Sequence, residues 1–107
     1  MGKLDGRVAV VTGAGRGIGA AEAIKMAQEG ASVAVLVLSA EAGQDTVTAI
    51  KKAGGEAVAI ACDVSSAKQV GAAFEEVANR FGRIDILVNN AGLLRDNLRF
   101  RSTGMNV

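Results

Sequence analysis

Apolar side chains gather in four short blocks: Val8-Ala9-Val10-Val11, Val33-Ala34-Val35-Leu36-Val37-Leu38, Ala57-Val58-Ala59-Ile60-Ala61 and Ile84-Asp85-Ile86-Leu87-Val88. Three are apolar throughout and the fourth is broken only at Asp85, so neither face of these segments reads as wet. Parallel strands covered on both sides have this pattern, whereas a strand with one solvated face alternates. Between the blocks the period becomes helical. Ala20, Ala23, Ile24 and Ala27 predict a first helix that stops near Gly30, a residue suited to a C-terminal cap. A second begins near Ser39, turns Val47, Ile50 and Ala53 inward, exposes Glu41, Gln44, Lys51 and Lys52, and ends at Gly54-Gly55. The third opens with Ser66-Ala67-Lys68-Gln69, a capping-box pattern, and puts Val70, Phe74, Val77 and Phe81 on one stripe before Gly82.

Strands alternating with helices imply right-handed crossovers and a parallel α/β sheet. No tandem repeat, low-complexity stretch or Pro- or Ser-rich linker divides the chain, so residues 1–107 read as one domain, with residues 93–107 as an irregular tail. Its core is modest, because a chain this short hides only about two-thirds of its unfolded surface. Small aliphatic side chains must fill it: half the residues are apolar, 3% are aromatic, and Trp, Tyr and Pro are absent.

Twelve basic against eleven acidic residues leave a net charge of +1, too little field to recruit nucleic acid or an anionic membrane. No apolar run reaches membrane-spanning length, and a soluble, cytoplasmic protein is expected. The single cysteine, Cys62, excludes an internal disulfide, and the absence of His removes the commonest metal ligand and general base, so no metal site is expected. Cys62 reads as a small apolar filler of a buried strand.

Chemistry concentrates directly after the first strand, in Thr12-Gly13-Ala14-Gly15-Arg16-Gly17-Ile18-Gly19. A Gly-rich strand-to-helix turn lets backbone approach a pyrophosphate closely, and the free N–H groups of the helix start stabilise the anion. The spacing is T-G-x-x-x-G-x-G rather than a strict G-x-G-x-x-G. With Asn89-Asn90-Ala91-Gly92 after the fourth strand, Cys62-Asp63-Val64 at the end of the third, and the Gly82-to-Val88 lead, the chain resembles the short-chain dehydrogenase/reductase family from residue 4 to about 101. Leu93-Leu94-Arg95-Asp96-Asn97-Leu98 is most similar to its 3-oxoacyl-(acyl-carrier-protein) reductases, which act in fatty-acid synthesis.

The resemblance implies a Rossmann-type doubly wound sheet, here about four strands in the order 3-2-1-4 with three helices. It also implies NAD(P) binding. Gly13, Gly15, Arg16, Gly17, Ile18 and Gly19 would line the pyrophosphate and adenosine side, Leu38 the region after the second strand, and Asp63 and Val64 the adenine. Asn90, Ala91 and Gly92 would back the nicotinamide-side ribose, with Asn89 bracing the sheet. Readers of NAD usually carry an Asp or Glu after the second strand, for the ribose 2′-OH. Val37 holds that position here, and Arg16 beside the loop offers a base for a 2′-phosphate, so NADP(H) is favoured over NAD(H).

Family chemistry is hydride transfer between nicotinamide and a carbonyl, with a Tyr as proton donor, a Lys one turn later and a Ser on the carbonyl. This sequence contains no Tyr, so no catalytic residue is assigned, and Asn106 also stays unassigned. A cofactor-binding portion of a reductase and a non-catalytic, shortened or engineered dinucleotide-binding module are both open readings. Gly104-Met105-Asn106-Val107 reads either as an unrelated tail or as the start of a later family strand. With four strands, the fourth would be an open edge presenting Ile86, Leu87 and Val88, and homo-oligomerisation or self-association there is expected.

Overall fold

The computed structural model describes residues 2–15 and 17–90, together with the backbone of Met105 and Asn106. Strand β1 is Val8–Thr12, β2 Ser32–Val37, β3 Glu56–Ala61 and β4 Ile86–Asn89. Helix α1 spans Gly17–Gln28, α2 Gln44–Lys52 and α3 Ala67–Phe81, each crossing between strands. A two-residue strand, β5, covers Met105–Asn106. The sheet is parallel in the order β3-β2-β1-β4-β5, which contains the anticipated 3-2-1-4.

Register explains why the blocks lack a polar face. Ala9 lies level with Val33 and Ile86, and Val33 with Ala57, so these side chains form one layer on one face of the sheet. That layer packs under Ala23 of α1 and Val47 and Ile50 of α2. One residue further along, Val10, Ala34 and Leu87 belong to the opposite face, under Val70, Ala73, Phe74 and Val77 of α3. Both faces are therefore dry, and strands with helices on each side need apolar residues at every position.

Helix boundaries follow local chemistry. The Ser66 hydroxyl caps α3 by accepting from the Gln69 N–H at 3.2 Å, and Gly82 ends it in the left-handed region at φ 87°. The reciprocal half of the anticipated capping box is redirected: Gln69 Oε1 accepts from the Asp63 N–H at 2.9 Å, while the Ser66 N–H donates to the Asp63 carbonyl. The second helix is delayed. A 3-10 turn, Ala40–Gly43, comes first, and α2 starts only at Gln44 because Ser39 caps the tighter turn by accepting from the Ala42 N–H.

Two expectations are corrected at β4. It is not the sheet edge, because β5 pairs with it in parallel, Ile86 with Met105 and Leu87 with Asn106. Nor are its aliphatic side chains presented to solvent: Ile86 and Val88 are buried in the layer under α1 and Leu87 in the layer under α3. The unpaired N–H and C=O groups of an edge strand favour any extended segment that can reach them, and Met105–Asn106 does so. The irregular tail anticipated over residues 93–107 otherwise lies outside the described residues.

Candidate functional site

The carboxyl ends of β1, β2 and β3 open into a cleft of about 670 Å³ lined by Gly13, Gly15, Leu36, Val37, Leu38, Ala42, Cys62, Asp63, Val64 and Ser65. Parallel sheets bind ligands at this end, where loops leave the strands, and the volume suits a small-molecule site. Segments 20 or more residues apart in sequence, Gly13 to Gly15, Val37 to Ala42 and Cys62 to Ser65, meet there.

The Gly-rich turn is shaped for close approach of a ligand. Gly13 and Gly17 have φ of 63° and 66°, a region that side chains resist. At Gly19, a buried residue on the first turn of α1, an added Cβ would drive into the carbonyl oxygen of Gly13. A Cβ on Gly15 would meet the Ala42 carbonyl oxygen at 2.7 Å. The turn thus packs α1 and the 3-10 turn against itself with no side chain between, and lines the cleft with bare backbone. An extended anion fits such a surface, since the N-terminal turn of α1 offers N–H groups without intrahelical acceptors.

The start of the turn is anchored twice. The Gly13 N–H donates to the Leu36 carbonyl at 3.1 Å. The buried Thr12 hydroxyl donates to Asn89 Oδ1 at 3.2 Å, with the Val88 carbonyl at 3.5 Å, tying β1 to β4. Asn89 therefore links β4 to β1 through the Thr12 side chain, and Asn90 follows as an exposed residue just beyond β4. Arg16, Ala91 and Gly92 lie outside the described residues.

On the opposite wall, Asp63 is fixed from several sides. Its Oδ1 accepts from the Ser65 hydroxyl at 2.6 Å and the Ser65 N–H at 3.0 Å, while its own N–H is held by Gln69. The Ser65 hydroxyl and N–H hold the Asp63 carboxyl below its usual range, so it is an acceptor at neutral pH. Val64 follows it on the cleft wall. Burial pushes the Cys62 thiol up, with a smaller push from Asp63, and the side chain sits in the apolar layer under α3, the filler place anticipated for it.

Among the described residues two large apolar side chains stand in solvent, Ile18 at 75% and Leu38 at 79% exposure. Leu38 lines the cleft, and Ile18 rises from the first turn of α1. The second wall carries no carboxylate among Val37, Leu38, Ser39 and Ala40; Glu41 comes next, on the 3-10 turn. Among the described residues no group of three or more His, Cys, Asp or Glu could hold a metal ion, and no helix is long and apolar enough to cross a membrane.

One contributor escaped the sequence reading. Thr46, in the first turn of α2, is buried at 3% exposure and donates its hydroxyl to the Ala14 carbonyl at 2.8 Å. In sequence it looks like any polar residue of a surface helix, and its partner is 32 positions away.

The family model for short chain dehydrogenases matches residues 7–104. An uncharacterized oxidoreductase of Methylorubrum extorquens is 52% identical over 94 residues, which cover 87% of this chain and 38% of that protein. A crystal structure of hydroxysteroid dehydrogenase from Escherichia coli superposes with a TM-score of 0.80 at 45% identity, covering 83% of this chain and 36% of that one. NAD+-bound xylitol dehydrogenase gives a TM-score of 0.80 at 41% identity, covering 84% of this chain and 35% of that one. The chain thus spans somewhat over a third of the length of these relatives. With its sheet order, its Gly-rich turn and a match over nearly all of its length, the chain belongs to the short-chain dehydrogenase/reductase family.

Proposed function

We propose that these residues form the dinucleotide-binding unit of a carbonyl reductase, with NADP(H) preferred over NAD(H). The observation that carries the reading is the convergence on one cleft of bare Gly13–Gly15 backbone, an uncharged wall at Val37 and Leu38, and the ionised Asp63. Gly13, Gly15, Gly17 and Gly19 would hold the pyrophosphate, with Ile18 and Leu38 covering its apolar neighbours. Asp63 and Val64 would take the adenine, the carboxylate accepting from its amino group. Asn90, Ala91 and Gly92 would support the nicotinamide-side ribose. When bound, the cofactor supplies a hydride to a carbonyl carbon. The proton donor expected of the family is a Tyr, and the sequence has none, so binding and orientation are what these residues contribute.

The substrate class we propose is a 3-oxoacyl thioester, resting on the likeness of Leu93 to Leu98 to the acyl-carrier-protein reductases. The 45% identity to a hydroxysteroid dehydrogenase favours a second class, ring ketones. Residues 1–107 act as one unit in this proposal, in a reducing cytoplasm that keeps Cys62 a free thiol. Self-association would proceed through the outer edges of the sheet rather than through β4.

Fluorescence titration with NADPH and NADH tests the cofactor preference, NADPH binding the more tightly. Arg16→Ala should weaken NADPH by about tenfold, the loss of one charge-assisted hydrogen-bonding partner, and NADH by less than about twofold. Equal losses for the two cofactors would overturn the assignment of Arg16 to the 2′-phosphate.

A further inference from the structure

We infer that Thr46 is a positioning residue for the Gly-rich turn, setting the orientation of the Ala14–Gly15 peptide and thereby the affinity for the pyrophosphate. The inference rests on the dinucleotide reading above and deepens it. Thr46 belongs to α2, whose other inward residues, Val47 and Ile50, are apolar core. Its hydroxyl leaves that pattern, donating to Ala14 O at 2.8 Å with Gly15 O at 3.5 Å. Ala14 is fully buried, where a carbonyl needs a donor from the protein.

Orientation follows from peptide geometry. In a planar trans peptide the C=O and the following N–H point in opposite directions. With the Ala14 carbonyl drawn towards Thr46, the Gly15 N–H is turned away from α2. A Gly peptide has little steric preference of its own, so the turn depends on outside contacts to hold one orientation. Gly13 is tied to Leu36 at one end, and Thr46 supplies a tie at the middle.

The same contact joins two walls of the cleft. Gly15 lies against Ala42 with no room for a Cβ, and Gly43 next to it would place a Cβ 3.2 Å from side-chain carbons of Val35, Val37 and Ala59. The 3-10 turn is thereby seated on the sheet and the Gly-rich turn on the 3-10 turn. Thr46, one turn further on, closes the assembly with a directional bond.

The test compares Thr46→Val, which keeps the shape and removes the donor, with Thr46→Ser, which keeps the donor. Binding of NADPH and of 2′-AMP, which has the adenosine but no pyrophosphate, is measured on each, with a thermal melt as a check on folding. Thr46→Val should weaken NADPH by about tenfold and leave 2′-AMP within about twofold, and Thr46→Ser should restore NADPH affinity. Equal weakening of both ligands, no weakening of either, or failure of Ser to restore binding would overturn the inference. Should Thr46→Val fail to fold, the decision passes to Thr46→Ser against Thr46→Ala, in which Ala must show the selective loss and Ser must not. A wild-type chain that binds 2′-AMP but no dinucleotide sinks the dinucleotide reading itself, and this inference with it.

Discussion

The two ends of the sheet solve opposite problems with different residues. At the amino ends of β1 and β4, Asp85 is buried at 3% exposure and saturated with donors. The Val8 N–H reaches its Oδ2 at 2.9 Å, Arg83 Nε and Nη2 reach Oδ1 at 2.9 and 2.6 Å, and the Arg7 guanidinium stands 3.6 Å away. Its own N–H donates to the Val8 carbonyl, so side chain and backbone together staple the two strands. At the carboxyl ends, glycines replace side chains, Leu38 and Ile18 stand in water, and a cleft remains open. One end is closed by charge and hydrogen bonds, and the other is held ready for a ligand. Stability and binding are thus segregated along the strand direction, and changes at one end should leave the other nearly untouched.

The largest expected effect comes from Gly19→Ala. The new Cβ would overlap the Gly13 carbonyl oxygen, which is backbone and can yield only if the turn itself moves. Dinucleotide affinity should fall by at least about a hundredfold in a fluorescence titration, from overpacking alone. Near-normal affinity would show that the turn does not hold the ligand.

Asp85→Ala probes the other end. It should cost about 2 to 3 kcal/mol in urea unfolding, because charged hydrogen bonds are lost and the Val8 N–H is left with no acceptor there. Dinucleotide affinity of the folded variant should stay within about twofold; a comparable fall in binding would break the segregation. Acid should expose the same residue. Burial pushes the Asp85 carboxyl up, but the Arg83 and Val8 hydrogen bonds and the Arg83 and Arg7 charges outweigh it and hold the group below its ordinary value. A depressed folded value means that the unfolded chain binds protons first as pH falls. The stabilisation is therefore complete above the ordinary Asp range and fades as pH drops through about 4 and below. Asp85→Asn should flatten this acid limb in unfolding curves recorded between about pH 2 and 6.

A smaller effect sharpens the comparison at the cleft. Asp63→Ala should weaken dinucleotide binding about tenfold, the worth of one hydrogen bond to a charged group, with the unfolding midpoint nearly unchanged. A stability loss as large as that of Asp85→Ala would mean that the Ser65 contacts make Asp63 a structural residue first.

Much of this was legible in the chain. Four apolar blocks separated by helical periods, with Gly30 and Gly82 as stops, suffice for a parallel α/β sheet, because burial on both faces leaves a local signature. The glycines of the turn were legible too, since their spacing after a strand encodes a backbone conformation. Residues acting through distant partners were not. Thr46 reads as helix surface, Gln69 reads as half of a capping box though it holds Asp63, and Asp85 reads as a flaw in an apolar strand though it bonds to Val8, 77 positions away.

The sequence by itself determined which segments are strands and helices, where the backbone must be bare, and which charges are available, because these depend on neighbours within a turn or two. Only the tertiary structure decided that β4 is flanked by β5, that Asp85 is a staple, and that Gly15, Ala42 and Thr46 lock two walls of the cleft together. Those outcomes depend on register and crossover, which set the distance between residues far apart in the chain, and no local pattern carries that distance.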